Sequence, residues 1–230
     1  MTRRDEHGLL YIATGDDARA LDSHAITRLG MPGRMLMEMA GLGAARALIA
    51  RTGGGPSRAV VLCGPGNNAG DGYVVARALM DSGWEVACLS LIEPDALSGD
   101  AAANHQLFCA LGGAVVDART LPKDALAAHM SDALVIIDAL FGTGLSRPLA
   151  GVYEGVIDLA NRCGTAYRVA LDVPSGLCAT SGQPLGAVFH ADLTTTFGLC
   201  KTGLVQFPGA ASAGEVICIP IGLPTQALQQ

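Results

Sequence analysis

From residue 58 onward, short and continuously apolar runs alternate with longer stretches of helical period. Ala59-Val60-Val61-Leu62-Cys63 is apolar at five consecutive positions, the pattern of a strand buried on both faces. Further apolar runs lie at Glu85–Leu91, Gly113–Val116, Leu134–Asp138, Ala166–Leu171, Asp192–Phe197 and Glu215–Ile219. Between them, about Tyr73–Ser82, Ser98–Leu111, Lys123–Met130 and Val152–Cys163 carry helical spacing. Strands alternating with helices predict right-handed crossovers and a mainly parallel sheet covered on both faces. The first fifty residues read as two helices. Ala18, Leu21, Ala25, Ile26 and Leu29 recur at helical spacing before Gly30-Met31-Pro32-Gly33 ends the first. The second, about Arg34–Arg51, sets Leu36, Met39, Ala40, Gly43, Ala44 and Ala47 on a small-residue face that favours close packing and would suit a homodimer. The pattern predicts one domain over residues 1–224 with a tail at 225–230 and no internal repeat.

Composition narrows the partners. The formal charge of −6 and the lack of any basic run argue against a surface that tracks nucleic-acid phosphates. An acidic chain can still hold one anionic ligand through backbone N–H groups. The seven cysteines stand singly among apolar neighbours with no CxxC pair, which predicts buried thiols rather than a disulfide framework or a zinc site. The opening MTRRDEHG leads into no long apolar stretch, and no segment reaches the eighteen or so apolar residues of a membrane span. The expected location is cytoplasmic.

In an open α/β sheet, ligands bind outside the carboxyl ends of the strands, and three such places carry chemistry. The first is Gly64-Pro65-Gly66-Asn67-Asn68-Ala69-Gly70-Asp71-Gly72, where glycines allow N–H groups to face a phosphate and a helix follows. It is neither GxGxxG nor a Walker loop. Its asparagines offer oxygens for a cation or a ribose, although an Asn-rich connection with a capping Asp would read the same way. The second is Asp138-Ala139-Leu140-Phe141-Gly142-Thr143-Gly144-Leu145-Ser146-Arg147-Pro148. It pairs a carboxylate at the end of a buried strand with hydroxyls and a guanidinium suited to phosphate. The third is Asp172-Val173-Pro174-Ser175-Gly176. A single Asp at a strand end can be a cap; two of them beside an Asn/Gly loop are harder to read as caps.

These three loops resemble the YjeF N-terminal family, whose characterised members are NAD(P)H-hydrate epimerases. The resemblance extends from Ala18–Gly41 to Asp192–Gly198 and Ile219–Pro224, with GPGNNAGDG, DALFGTGLSRPLAG and LDVPSGL in the family's order. It implies a Rossmann-like three-layer α/β/α fold. It also implies interconversion of the R and S epimers of hydrated NADH and NADPH, so that a separate NAD(P)HX dehydratase can restore the cofactor. It places a potassium ion at Asn68, Asp138 and Ser175, with neighbouring backbone carbonyls. It maps the hydrate's contacts to Asn67, Asn68, Ala69, Gly70 and Asp71, to Gly142, Thr143, Gly144, Leu145, Ser146, Arg147 and Pro148, and to Asp172. This chain departs from the family at Met39, where Asn is common, and at Ala69, where Gly is usual and where φ must stay below zero.

Epimerising the ring carbon requires its hydroxyl to leave as water, pushed by the ring nitrogen, and water to return on the opposite face. A carboxyl would serve as general acid and then as base, with Asp172 expected first and Asp138 second because a potassium ligand stays ionised. Lys201 is read equally as a group reaching the site or as a surface lysine, and Tyr153 as helix packing. The five histidines show no metal spacing. Competing expectations are a non-catalytic nucleotide-binding or scaffold module of this fold, the epimerase half of a bifunctional enzyme, and a nicotinamide oxidoreductase, which the missing GxGxxG disfavours.

Overall fold

The computed structural model describes residues 11–223, so the expected tail 225–230 and the stretch MTRRDEHG lie outside the described residues. In chain order the elements are β1 (Ile12–Ala13), α1 (Gly15–Thr27), α2 (Gly33–Arg51), β2 (Arg58–Cys63), α3 (Asn67–Asp81), β3 (Glu85–Ser90), α4 (Gly99–Ala110) and β4 (Ala114–Asp117). They continue with α5 (Lys123–Ser131), β5 (Val135–Ala139), α6 (Val152–Arg162), β6 (Tyr167–Leu171), β7 (Leu193–Phe197), β8 (Cys200–Lys201), α7 (Thr202–Val205), α8 (Ala210–Ala213) and β9 (Glu215–Ile219).

Seven strands form one sheet in the order β4-β3-β2-β5-β6-β7-β9. Every neighbouring pair is parallel. The continuous apolar runs follow from this, because both faces of such a sheet are covered. Alternate side chains of β2 divide between two cores. Val61 and Cys63 pack with Tyr73 and Leu79 of α3 and Leu48 of α2. Val60 and Leu62 pack with Leu126 and Met130 of α5 and Ile157 and Ala160 of α6. The expected three-layer α/β/α arrangement is therefore present. Truncating a fully buried residue such as Leu62 or Ile136 to Ala would cost about 2–5 kcal/mol. Cys63, Cys88, Cys200 and Cys218 are buried, as their apolar neighbours predicted, but Cys163 and Cys178 are half-buried and Cys109 is exposed, so the expectation of buried thiols fails at those three. No helix among the described residues is long and apolar enough to cross a membrane.

Three features differ from the pattern-based expectation. Helix α3 begins at Asn67, not near Tyr73, so most of the Gly-rich segment is helical rather than loop. The glycines there serve close packing. A Cβ on Gly70 would meet the Met37 sulfur at 2.6 Å, and one on Gly72 would meet the Ala139 Cβ at 2.6 Å. Ala69 is helical and fully buried, and the positive φ that would have excluded alanine does not occur there. Second, part of the small-residue face of α2 packs within the subunit, with Leu36, Ala40 and Ala44 buried and Gly43 against Ile219, while Met39 on that face is exposed and Ala47 half-buried. Third, the two-residue strand β1 pairs in parallel with β8, matching Ile12 to Cys200 and Ala13 to Lys201. A strand this short leaves no periodic trace. It nevertheless anchors the start of α1, where Thr14 and Asp17 form a reciprocal capping box.

Candidate functional site

The strand order reverses between β2 and β5: from β2 the chain steps outward to β3 and β4, then resumes at β5 on the other side. Ligands bind at this kind of switch point in open α/β sheets. A cleft of about 480 Å³ opens there, in the size range of small-molecule sites. Its floor is the start of α3, its sides are the loop Leu140–Leu145 and the end of β6, and α1 and α2 roof it. Gly66, Asn67 and Asn68 line it at the α3 N-terminus. No side chain caps that helix, so its positive end is open to an anion.

Asp172 follows β6 with φ +65°, the one positive-φ non-glycine among the described residues. A conformation of this kind costs on the order of 1–3 kcal/mol and persists only where the surroundings hold it. Here they do. Lys201 Nζ lies 2.7 Å from Asp172 Oδ1. Thr143 donates to Asp172 Oδ2 from its backbone N–H (2.8 Å) and from its hydroxyl (2.6 Å). The Lys201 side chain is only 4% exposed and also donates to the Phe197 carbonyl at 2.8 Å. Burial alone would raise the Asp172 carboxyl, but the Lys201 charge and the hydrogen bonds from Lys201 and Thr143 outweigh it and hold the group below the usual carboxylate range.

Three further carboxyls, Asp22, Asp71 and Asp100, line the same cleft. Burial, then the charges of Asp172 and Asp22, push the Asp71 carboxyl well above its ordinary value, with Lys201 opposing. Asp22, reaching in from α1, rises to about 6 through burial, opposed by Lys201 and reinforced by Asp172. Arg19, one turn earlier on α1, donates to the Thr143 carbonyl at 2.7 Å and ties the roof to the loop that holds Asp172.

Asp138 and Ser175 lie beneath the wall rather than on it, both fully buried. Asp138 Oδ1 accepts from the Ser175 hydroxyl (2.7 Å) and the Leu140 N–H (3.1 Å), and Oδ2 accepts from the Ser175 N–H (2.7 Å). Burial raises this carboxyl to about 6 against those hydrogen bonds. Asn68 lines the cleft at the start of α3, and both ends of its side-chain amide are buried without a hydrogen-bond partner. An orphaned polar pair of this kind costs free energy unless something outside the protein chain satisfies it.

The structure thus brings Asn67, Asn68, Asp71, Gly142, Thr143, Gly144, Leu145 and Asp172 to one cleft. Ala69 packs into the core, and a Cβ on Gly70 would face Met37, so these two serve the helix rather than its lining. Ser146, Arg147 and Pro148 are exposed beyond the cleft wall. Tyr153 packs edge-on against Phe141 with ring centroids 4.9 Å apart, the packing role expected of it. Sequence reasoning left Lys201 undecided and passed over Asp22. Lys201 had one usable signal, its position just past an apolar run; Asp22 is an ordinary acid in a helix until the fold turns it inward.

The family described as YjeF-related protein N-terminus matches residues 33–203. An NAD(P)H-hydrate epimerase of Rhodopirellula baltica is 38% identical over 218 residues, covering 92% of this chain and 84% of the relative. One of Limosilactobacillus fermentum is 39% identical over 204 residues, covering 89% and 93%. A bifunctional NAD(P)H-hydrate repair enzyme Nnr of Thermofilum pendens is 39% identical over 220 residues, which is 96% of this chain but 42% of that protein. This chain therefore spans less than half the length of the bifunctional relative. The crystal structure of the yeast protein ynu0 superposes with a TM-score of 0.75 at 20% identity, covering 91% of this chain and 87% of that one. At that identity the likeness is one of fold.

Proposed function

This chain belongs to the YjeF-related N-terminal family, and from that premise we propose that it is an NAD(P)H-hydrate epimerase, interconverting the R and S epimers of hydrated NADH and NADPH. The observation that carries the reading is the charge arrangement of the cleft: Asp22, Asp71, Asp100 and Asp172 line it against Arg19 and Lys201, and Lys201 is already committed to Asp172. Loss of the ring hydroxyl as water leaves a planar, positively charged iminium. Fixed negative charge in a partly dehydrated cleft stabilises a cation that forms only on the way between epimers. Asp172, oriented by Thr143 and Lys201, is the carboxyl of that set held ionised before the reaction. The uncapped N-terminus of α3 suits the pyrophosphate, with the backbone of Gly142–Leu145 facing it across the cleft.

The same reading gives Asn68, Asp138 and Ser175 a potassium ion, with neighbouring backbone carbonyls. The residues present fit a hard cation. Their donors are oxygens, the Asn68 amide awaits a partner, and no group of three or more His, Cys, Asp or Glu among the described residues could hold another metal. Held by these oxygens, the ion would supply a fixed positive charge. The partner reaction is a dehydratase that consumes the S epimer. The relatives named as bifunctional repair enzymes support that coupling.

The test is to incubate the protein with pure R-hydrate, with and without potassium, and to follow the epimer ratio by chromatography. Acceleration over the spontaneous reaction is expected, and no acceleration would leave a non-catalytic module of the same fold.

A further inference from the structure

Epimerisation through a planar intermediate makes an unusual demand on the protein. The departing hydroxyl needs a proton on one face of the ring, and the arriving water must lose one on the other. In the reverse direction the two roles exchange. Such a site needs two groups in opposite protonation states, and some means of restoring those states after each turnover.

Resting on the function proposed above, we propose that Asp71 carries the catalytic proton, that Asp172 accepts the proton of the arriving water, and that Lys201 is the positioning residue that sends this proton back to Asp71. The geometry separates the two carboxyls. Asp172 has both oxygens engaged, by Lys201 Nζ at 2.7 Å and by two donors of Thr143, so a proton placed on it displaces or weakens those contacts. Asp71 stands in the second turn of α3, 9% exposed, and no hydrogen bond among the described residues engages its carboxyl. An unpaired carboxyl in that position is far cheaper to bury protonated than ionised. Its elevation by burial and by the charges of Asp172 and Asp22 agrees with this.

The charged and titratable groups walling this cleft are Arg19 and Asp22 from α1, Asp71 from α3, Asp100 from α4, Asp172 after β6, and Lys201 of β8. Lys201 and Asp172 form one pair. Arg19 is turned to Asp16 and the Thr143 carbonyl, and Asp100 lies near Arg34 at the rim. Besides burial, the negative charge of Asp172 and then that of Asp22 keep Asp71 protonated, and Asp22 is the one of the two with no cation paired to it among these groups.

The step balances. Asp71 gives its proton to the ring hydroxyl, the C–O bond breaks and water departs. A second water adds to the opposite face, forming a new C–O bond and losing a proton to Asp172. That proton then returns to Asp71, because Lys201 and Thr143 favour ionised Asp172. No oxidant or reductant is needed, and in the S-to-R direction Asp172 and Asp71 exchange roles.

The experiment compares the wild type with Asp71→Asn, Lys201→Met and Asp22→Asn, measuring kcat and KM for R-hydrate across pH together with melting temperature. Wild-type acceleration is the separate control: if it is missing, the epimerase reading itself has failed. Given that activity, Asp71→Asn is expected to lose about 100-fold or more in kcat with KM within threefold, and to melt at or above the wild-type temperature. Lys201→Met is expected to move the acidic limb of the pH profile upward, because Asp172 then protonates more readily. Asp22→Asn is expected to move the alkaline limb downward, because Asp71 then loses its proton more readily, a readout that survives even if Asp71→Asn folds poorly. Asp71→Asn turning over within threefold of wild type, or an alkaline limb unmoved by Asp22→Asn, would overturn the assignment of the proton to Asp71. An acidic limb unmoved by Lys201→Met would overturn the resetting role.

Discussion

Replacing Lys201 with Met removes one partner of a buried ion pair and leaves the other in place. The side chains are 4% and 15% exposed, so water cannot readily take over from the ammonium. Orphaning one member of such a pair costs about 3–5 kcal/mol, which for a domain of this size is roughly 6–20 °C in melting temperature. The Phe197 carbonyl loses its 2.8 Å donor as well. The loss must depend on pH in a definite direction. In the wild type the folded Asp172 carboxyl lies below its ordinary 3.8, so its contribution is present above that value and disappears only as pH falls through the lower folded value. Without Lys201, burial dominates and raises the folded value above 3.8. The variant's Asp172 then destabilises the fold increasingly as pH rises through that value. The gap between wild type and variant should therefore be widest near pH 8 and narrow towards pH 4. Adding Asp172→Asn to the variant should recover most of the loss, since Asn tolerates positive φ and needs no counter-charge. Denaturant unfolding at several pH values reads all of this. Equal midpoints at pH 8, or a gap that the second substitution fails to close, would refute the claim that this pair is what holds Asp172.

Three other outcomes follow from the same geometry. In potassium-free buffer Asn68→Ala should cost little, because it deletes an unsatisfied amide; adding potassium should raise the wild-type melting temperature and not the variant's, with about 2.7 kcal/mol expected at a hundredfold excess over Kd. Equal responses to potassium and a large organic cation would remove Asn68 from any ion site. Asp22, raised to about 6 from 3.8, favours the fold below pH 4 and loses that advantage as pH rises through 6. Asp22→Asn should accordingly be more stable than wild type above pH 6, by at most about 3 kcal/mol, when thermal unfolding is followed across pH. Gly72→Ala should destabilise by about 1–3 kcal/mol, since its Cβ would sit 2.6 Å from the Ala139 Cβ, whereas Gly55→Ala, with open space around it, should change little in the same denaturant assay.

Much of the fold was legible because a parallel sheet covered on both faces forces continuous apolar runs. All seven runs became strands with ends within one residue or so, and the helices between them followed their periodicity. The segment Asn67–Gly72 misled because glycine and asparagine are poor helix formers locally. Packing decided otherwise: the approach of α2 and β5 leaves no room for side chains at Gly70 and Gly72. Asn67, Asn68, Asp71, Gly142, Thr143 and Asp172 line one cleft, as the strand-end rule expected, since chain order places them after β2, β5 and β6.

The sequence by itself determined the layers, the parallel sheet and the end of the sheet at which the cleft lies, because hydrophobic period and strand-end position are local properties of the chain. Only the tertiary structure decided the protonation partners. Lys201 lies 29 residues from Asp172 in sequence and 2.7 Å from it in space. Asp22 meets Asp172 because the β1–β8 pairing and the capping box of α1 set that helix over the cleft, and Asp71 because α3 starts directly after β2 at the same end of the sheet. A carboxyl's charge is set by what surrounds it, through burial, neighbouring charge and hydrogen bonds, and those surroundings arrive from four separate segments of the chain.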